Sequence, residues 1–444
     1  MSSLFIADPG RRITWCAALV CALLPVTSRA VPSLEVGAGG DPSDRFSIHV
    51  RSESFTTVRV HLLSRPHDKL LYSWADYEIE PGMQEVTATV PKNGIASKRT
   101  KWMIFWARRA IDSRAPKDVY QRYLSRTDFD HVVLLEQNGR VIDSKTINFN
   151  PGKVTPDGVS IRQIDSANVR GLLFKPPGNG PFPLLISIGG NPKRTALTSS
   201  MAIARKGVLV FDLDYHTGHG RQWCFRRVPT RLVTEAIRHL SRTAAVDRNK
   251  IGIWGSSRGA EAVPFVANSG NKVRFAIMST FTLWPMPGGC LGADSAWVDD
   301  GRPVEYLRGP WWLLGGFVGL PWMTQEELYR QRVEQVGLKN APRLPMARID
   351  VPTLLIGAGK DSLVPSALSV ETVCAEFDCR QGSRFKAVIP PDASHFVSEP
   401  PWVPYSCKAQ LMSAESRPAA CDAAAVAREQ IYDEMMRFID EQLR

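Results

Sequence analysis

The chain has 444 residues, a formal net charge of +11, 44% hydrophobic and 22% charged residues. This length suffices for two domains, and the composition excludes intrinsic disorder and collagen-like repeats. The basic balance is compatible with an acidic substrate and leaves association with an anionic membrane surface open. It is not accompanied by a nucleic-acid-binding motif, so we expect no nucleic acid partner.

The first 30 residues have the features of a signal peptide. Arg11 and Arg12 precede a short apolar stretch from Ile13 to Val26, and Ser28 to Ala30 offers the small residues that a signal peptidase reads. A buried first helix or a membrane anchor is the alternative. We expect cleavage near Ala30 and export to the periplasm or the exterior. Because cleavage removes three arginines and one aspartate, the charge of +11 becomes +9.

Six of the 8 cysteines remain after this cleavage. An even number in an oxidising compartment favours disulfides, although the sequence does not fix their pairing. Cys407 and Cys421 flank a polar loop and form one candidate pair, and Cys374 with Cys379 is the nearest alternative. The lack of a Cys-x-x-Cys motif argues against a zinc ribbon, and we predict no metal or other cofactor.

Residues 31–150 predict a β-sandwich domain of immunoglobulin-like type. Apolar residues alternate with polar ones in several short segments separated by turn residues, as in strands with one buried face. The predicted strands include Phe46–Val50, Val58–Leu62, Val86–Val90, Trp102–Trp106 and Val132–Glu136.

Residues 155–444 predict a parallel sheet with helices on both faces. Short apolar runs alternate with helical patterns, and runs that are apolar on both faces are typical of buried parallel strands. The clearest runs are Leu184–Ile188, Gly207–Phe211, Lys250–Trp254, Arg274–Met278 and Thr353–Ile356. An insertion at about 281–345 is rich in tryptophan and is expected to form a lid. Its tryptophans either pack the lid onto the body or line an apolar pocket, and the sequence leaves both readings open.

Gly255-Ser256-Ser257-Arg258-Gly259 is a G-x-S-x-G motif between a predicted strand and a predicted helix over 260–268. In this motif the serine sits on a sharp turn that exposes its hydroxyl at the edge of the sheet. We therefore predict Ser257 as the nucleophile of an α/β-hydrolase fold. Pro264 is expected to bend or shorten the following helix.

The serine needs a base, and that base needs an acid to orient it. Of the eight histidines, His395 alone follows the last predicted strand, where the fold places its base. Asp361 follows the strand Thr353–Ile356 and lies between serine and histidine in chain order. Asp378 and Asp392 are rivals that do not lie at a strand end. We predict His395 as the general base and Asp361 as its partner.

The negative charge of a tetrahedral intermediate requires backbone amide donors. One is expected from Arg258, the residue after the nucleophile. The other is expected from the loop that follows Leu184–Ile188, that is from Gly189, Gly190 or Asn191.

The chain resembles the acyl-CoA thioesterase and bile acid-CoA:amino acid N-acyltransferase family. The resemblance covers most of residues 155–440, and its most specific part is His395 followed by Glu399-Pro400-Pro401 and Cys407. Other matching stretches are Gly171–Pro183, Gly255–Glu261, Pro352–Asp361 and, more weakly, Trp102–Arg109. The family carries Ser or Cys as nucleophile, and a serine implies hydrolysis rather than transfer to an amino acid.

The resemblance implies a small acyl ester or thioester as substrate. Three alternatives remain: an acyltransferase, a serine peptidase on the same fold, and a binding protein whose hydrolase domain is inert. The absence of a repeat that could form a propeller argues against the peptidase, and the complete set of Ser257, Asp361 and His395 argues against the inert reading.

Overall fold

A computed structural model describes most of the chain. The described residues are 31–37, 46–65, 70–96, 98–110, 130–148, 158–166, 169–190, 197–215, 225–267, 270, 272–288, 294–309, 324–380, 382–397, 399–402 and 417–444. The predicted signal peptide lies outside them. None of the helices within these ranges is long and apolar enough to cross a membrane.

The N-terminal part is built from two antiparallel sheets. The first has the order β1-β2-β5, and the second has the order β6-β4-β3-β8-β9 with β7 paired to β4. The strands are β1 Ser33–Val36, β2 Ile48–Ser52, β3 Thr56–Ser64, β4 Leu71–Ile79, β5 Gly82–Glu85, β6 Asn93–Gly94, β7 Arg109–Ala110, β8 His131–Gln137 and β9 Arg140–Ile147.

The two sheets share one apolar core. Ile48 and Val50 of the first sheet and Val60 and Leu62 of the second are fully buried in the same cluster. Their alternation along each strand is the period-2 pattern of a strand with one buried face. The β-sandwich predicted for this region is confirmed.

Two predicted strands in this region are wrong. At 86–90 the chain turns after β5, because threonine side chains bond locally: Thr89 Oγ1 donates to Glu85 O at 2.8 Å and Thr87 Oγ1 to Glu85 Oε1 at 2.8 Å. Such bonds compete with a strand ladder. At 102–106 the chain forms a helical turn, Met103–Trp106, in which Met103 and Phe105 are fully buried. A short apolar run does not distinguish a buried strand from a buried helix.

The C-terminal part is built on an eight-stranded sheet with the order β10-β11-β13-β12-β15-β16-β21-β22. These strands are β10 Ser160–Asp165, β11 Arg170–Lys175, β12 Phe182–Ile188, β13 Leu209–Leu213, β15 Val246–Ser256, β16 Val273–Ser279, β21 Thr353–Ile356 and β22 Phe385–Val388. Shorter strands outside this sheet are β14 Val228–Pro229, β17 Pro287–Gly288, β18 Asp294–Ser295, β19 Trp297–Asp299 and β20 Arg302–Pro303.

Strand direction in this sheet matches the α/β-hydrolase prediction. The strands from β12 onward pair in parallel, and β11 runs antiparallel to both β10 and β13. Because parallel strands end at the same edge, the loops after β12, β15, β21 and β22 meet there, where ligands bind in open α/β sheets.

Helices cover both faces of this sheet. Helices that pack on one face are Arg231–Leu240, Val263–Val266, Gln325–Val336 and Ser366–Glu376, whereas Leu197–Ala204 and Arg417–Leu443 pack on the other. The second face also carries the N-terminal sandwich, whose core is continuous with it. The helix predicted over 260–268 is confirmed in part: a 3-10 helix precedes a four-residue α-helix with Pro264 in its first turn, where proline is tolerated.

Cys374 and Cys379 form a disulfide at the end of the helix Ser366–Glu376. Cys421 is also disulfide-bonded. Cys407, the partner predicted for Cys421, lies outside the described residues. The alternative pair named from the sequence is therefore present, and a second disulfide accompanies it.

Candidate active site

The turn at Ser257 holds that residue in a strained backbone conformation. β15 ends at Ser256, the 3-10 helix Ser257–Ala262 begins at once, and Ser257 has a φ of 54°. A non-glycine residue in this region costs about 1–3 kcal/mol and persists only where its surroundings impose it. Here the flanking glycines make the turn fit: a Cβ on Gly255 would collide with Ala260, and one on Gly259 with the carbonyl oxygen of Ile188.

His395 lies beside the Ser257 hydroxyl. It follows β22, is 9% exposed, and its Nε2 is 3.0 Å from Ser257 Oγ. Its Nδ1 faces the Asp361 carboxylate, at 2.9 Å from Oδ2 and 3.0 Å from Oδ1. With Nδ1 protonated and donating to the carboxylate, Nε2 is free to accept the serine proton.

Asp361 is fixed by donors from its own loop. Its Oδ1 accepts the backbone N–H groups of Leu363 at 3.0 Å and Val364 at 3.1 Å. Its Oδ2 accepts the Ser366 hydroxyl at 2.7 Å, and Ser366 Oγ in turn accepts the N–H of Ala358 at 3.1 Å. These bonds satisfy a buried carboxylate and fix its position beside the imidazole. Sequence reasoning missed Ser366, which reads as an ordinary helix-start residue after Pro365.

The two rival aspartates have other partners. Asp378 pairs with Arg380 at 2.9 Å, and Asp392 pairs with Lys360 at 2.5 Å. Both ion pairs are solvent-exposed. Of the three aspartates weighed from the sequence, only Asp361 contacts His395.

The loop after β12 touches the nucleophile. A Cβ added to Gly190 would lie 2.7 Å from the Cβ of Ser257, so this position requires glycine. The Tyr215 hydroxyl donates to the carbonyl oxygen of Gly189 and anchors the loop from the side. Arg258 is the second residue of the 3-10 helix, and the first amides of a helix have no partner within it. Asn191 lies outside the described residues.

Comparisons with known proteins bear on this site. Residues 322–444, which contain Asp361 and His395, match the family described as BAAT / Acyl-CoA thioester hydrolase C terminal. Acyl-coenzyme A amino acid N-acyltransferase 1 of Mus musculus is 25% identical over 300 residues, 64% of this chain and 66% of that protein. Acyl-coenzyme A thioesterase 1 of Homo sapiens is 28% identical over 106 residues, 24% of this chain and 25% of that protein.

The chain is similar to members of the acyl-CoA thioesterase and N-acyltransferase family, most clearly in its C-terminal part. The match spans just under two thirds of the first of these relatives and a quarter of the second. Among solved structures, the acylaminoacyl peptidase of Pyrococcus horikoshii covers 90% of this chain and 62% of its own, with 12% identity and a TM-score of 0.39. This likeness is too weak to support a fold assignment, which comes instead from the strand order of the sheet.

Two charged side chains that follow the nucleophile in the chain make contacts that sequence reasoning missed. Arg258 Nη2 donates to the carbonyl oxygens of Pro287 at 2.9 Å and Met286 at 3.2 Å. Glu261 is fully buried, and its Oε1 accepts the N–H of Met286 at 3.4 Å. Burial raises the pKa of Glu261 to about 7, against the opposing effect of the Arg258 guanidinium. Both side chains thus hold the start of the insertion after β16. The signal was available, since Glu261 is a charged residue in an otherwise apolar stretch.

The described tryptophans of the insertion are packing residues. Trp284 is fully buried and Trp297 is 1% exposed. Trp297 packs with Phe225 at a ring-centroid distance of 5.0 Å and with Tyr215 at 5.6 Å. For these two, packing onto the body is the correct alternative. Trp311, Trp312 and Trp322 lie outside the described residues.

Proposed function

We propose that this chain is a serine hydrolase that cleaves an acyl ester or thioester through a covalent acyl-enzyme. The observation that carries the proposal is the hydrogen-bonded series Ser257 Oγ, His395 and Asp361, with distances of 3.0 Å and 2.9 Å, at a residue whose backbone is held in the left-handed region. A serine in this setting is activated by the adjacent base.

In the proposed mechanism, His395 Nε2 accepts the Ser257 proton while Oγ attacks the acyl carbon. The charge on the former carbonyl oxygen is stabilised by amides of Arg258 and of the Gly190–Asn191 loop. His395 then protonates the departing alcohol or thiol, leaving the acyl group on Ser257. Water, deprotonated by the same imidazole, attacks the acyl-enzyme and releases the carboxylic acid.

A thioester is the preferred substrate class because the relatives are named for acyl-coenzyme A. An acyl thioester has a good leaving group, and His395 has only to protonate a thiolate. We propose that the protein recognises the acyl part of its substrate. Comparing acyl thioesters with esters of the same acyl chains tests the preference for a thioester. Preference for esters of the same acyl chain would contradict the thioester assignment.

A fluorophosphonate probe tests the serine mechanism directly. We expect the wild-type protein to be labelled on Ser257 and Ser257→Ala to be unlabelled and to lose kcat by orders of magnitude. Ser256→Ala is the matched control, since it removes a hydroxyl one residue away and should retain labelling. A folded Ser257→Ala variant that keeps more than about a tenth of the activity would refute the assignment.

Transfer of the acyl group to an amino acid is the second candidate. It is favoured by the relative that is 25% identical over 300 residues and is named an amino acid N-acyltransferase. The two candidates share the acyl-enzyme and differ only in what attacks it. Product analysis with an acyl thioester plus glycine decides between them: free acid alone supports hydrolysis, and N-acylglycine supports transfer.

We also propose that the mature protein begins near Val31 and works in an oxidising compartment. The disulfide between Cys374 and Cys379 and the bonded Cys421 support this, because structural disulfides persist outside reducing cytosol. N-terminal sequencing of protein from the native host tests the cleavage. Protein that retains Met1 would contradict it.

A further inference from the structure

The segment that carries His395 has no regular secondary structure. Between β22 and the end of its described part at Trp402 it forms only turns and bends, yet Ala393, Val397 and Trp402 are buried. All three lie in the core cluster that also contains the N-terminal sandwich and the C-terminal helix Arg417–Leu443. The position of the imidazole therefore depends on what fixes this segment at its two ends.

The end before His395 is held by the loop that carries Asp361. The N–H of Lys360 donates to Ala393 O at 2.8 Å, and the N–H of Gly359 donates to Pro390 O at 3.1 Å. These bonds tie the histidine segment to its acid partner. The other end of the segment, from Glu399 to Trp402, has different partners.

Two buried arginines bind that second end. Arg428 of the C-terminal helix is fully buried and donates to Pro401 O at 3.2 Å and to Glu399 Oε2 at 3.4 Å. Arg108 of the N-terminal part is 4% exposed and donates to Trp402 O at 3.4 Å. The Trp402 carbonyl is thus a contact between the sandwich and the segment of the candidate base.

The Trp402 ring is enclosed in the same way. Trp102 of the sandwich meets it edge-on at a centroid distance of 5.6 Å, and Tyr432 of the C-terminal helix meets it at 5.3 Å. Edge-to-face aromatic pairs contribute beyond their buried area and favour one relative orientation. The Trp402 ring is therefore held from both sides, and its carbonyl is held from the sandwich by Arg108.

Burying Arg108 is costly, which indicates that the contact has a role. Its other donors go to Phe105 O and Ser64 Oγ, both at 2.7 Å, and in the described part of the chain it forms no ion pair with a carboxylate. Burial lowers its pKa to about 9. A buried charge without a carboxylate is retained at an energetic cost, and its hydrogen bonds to neutral acceptors only partly offset this.

We infer that the N-terminal sandwich is a positioning element, in which Arg108 and Trp102 act through Trp402 to keep His395 within hydrogen-bonding distance of Ser257. This inference rests on the proposed role of His395 as general base. It accounts for two stretches that stood out in the sequence, Trp102–Arg109 and Glu399–Pro401, since the first contacts Trp402 directly and the second leads into it.

The test uses the full-length protein with Trp102→Leu, Arg108→Lys and Arg108→Met. Kinetics on an acyl thioester give kcat and KM, the rate of fluorophosphonate labelling reports Ser257 reactivity, and thermal unfolding reports stability. Arg59→Met is the matched control. Arg59 is another sandwich arginine: it lies over the Trp74 ring at 4.1 Å and pairs with Asp76, but it is on the sheet face away from the shared core.

We expect Trp102→Leu and Arg108→Met to lower kcat about tenfold to hundredfold, as a small misplacement of a catalytic group does. KM should change less than about twofold, and labelling of Ser257 should slow by the same factor as kcat. Arg108→Lys keeps a donor towards Trp402 O and should retain more activity than Arg108→Met. Arg59→Met should lose stability without losing kcat.

Loss of stability with unchanged kcat and unchanged labelling in Trp102→Leu would show that the contact only holds the two parts together, and would overturn the inference. If the Arg108 variants do not fold, Trp102→Leu decides alone. Failure of the proposed function gives a different result, because the wild-type protein itself would then not be labelled on Ser257.

Discussion

Glu261→Gln is expected to stabilise the protein above neutral pH. Glu261 is fully buried four residues after the nucleophile, and burial raises the pKa of its carboxyl from 4.5 to about 7. An acid with a raised pKa in the folded state binds its proton more tightly there than in the unfolded chain. The contribution of Glu261 to folding stability is therefore greatest at low pH and falls as the pH rises from 4.5 towards 7, because the unfolded chain ionises first.

The size of the effect follows from the shift. A rise in the pKa of Glu261 from 4.5 to about 7 corresponds to a free energy of about 3 kcal/mol, at 1.36 kcal/mol for each pKa unit. Glutamine has nearly the same shape and no charge. The difference in unfolding free energy between Glu261→Gln and wild type should thus grow by about 3 kcal/mol between pH 4 and pH 8, in favour of the variant.

Guanidinium denaturation at a series of pH values between 4 and 8.5 measures this difference. Glu371→Gln is the control, since Glu371 is exposed on the helix Ser366–Glu376 and its replacement should shift the curve little at any pH. Wild-type and Glu261→Gln curves that run parallel across the range would refute the reasoning. They would mean that Arg258 keeps the buried carboxylate charged at no net cost.

Three further predictions concern the site and its surroundings. Asp361→Asn should lower kcat by about three to four orders of magnitude while the fold is kept, because the amide no longer selects the imidazole tautomer; a pH–rate profile and thermal unfolding check this. Peptide mapping under non-reducing conditions should find Cys407 joined to Cys421, and both thiols free would contradict the pairing. If the insertion covers an apolar pocket, each added methylene of the acyl chain should contribute up to about 0.8 kcal/mol of binding free energy. The kcat/KM for esters should then rise with acyl length. A flat or falling chain-length series would reject that pocket.

The site residues that the structure brings together as expected are those whose positions are set by local pattern, and their catalytic roles stay predictions. The motif around Ser257 lies between a strand and a helix, and this order of strand, motif and helix is what makes the pattern specific. Asp361 follows the fully buried strand β21 and His395 follows its parallel neighbour β22, so their convergence at one sheet edge follows from parallel pairing.

The two strand predictions that were wrong concern segments whose conformation depends on side-chain hydrogen bonds or on distant contacts. At 86–90 the threonine hydroxyls bond to Glu85 rather than leaving the backbone to pair. At 102–106 the run is buried against the hydrolase part, and its helical form serves a contact with Trp402 that lies about 300 residues further along the chain. Periodicity carries no information about a partner so distant.

Groups that act indirectly were also missed. Ser366 donates to Asp361, Tyr215 donates to Gly189, and the buried Glu261 accepts from Met286. Ser366 and Tyr215 read as ordinary helix and loop residues in the sequence, because their importance comes from a neighbour brought close by folding.

Detection of the acyl-enzyme tests the central claim most directly. Rapid mixing with a p-nitrophenyl ester, followed by acid quench and peptide mass analysis, measures how many acyl groups the chain carries and where. The account predicts a burst of one acyl group per chain, located on the peptide that contains Ser257 and absent from Ser257→Ala. A burst that survives in Ser257→Ala, or an acyl group found on another residue, would contradict it.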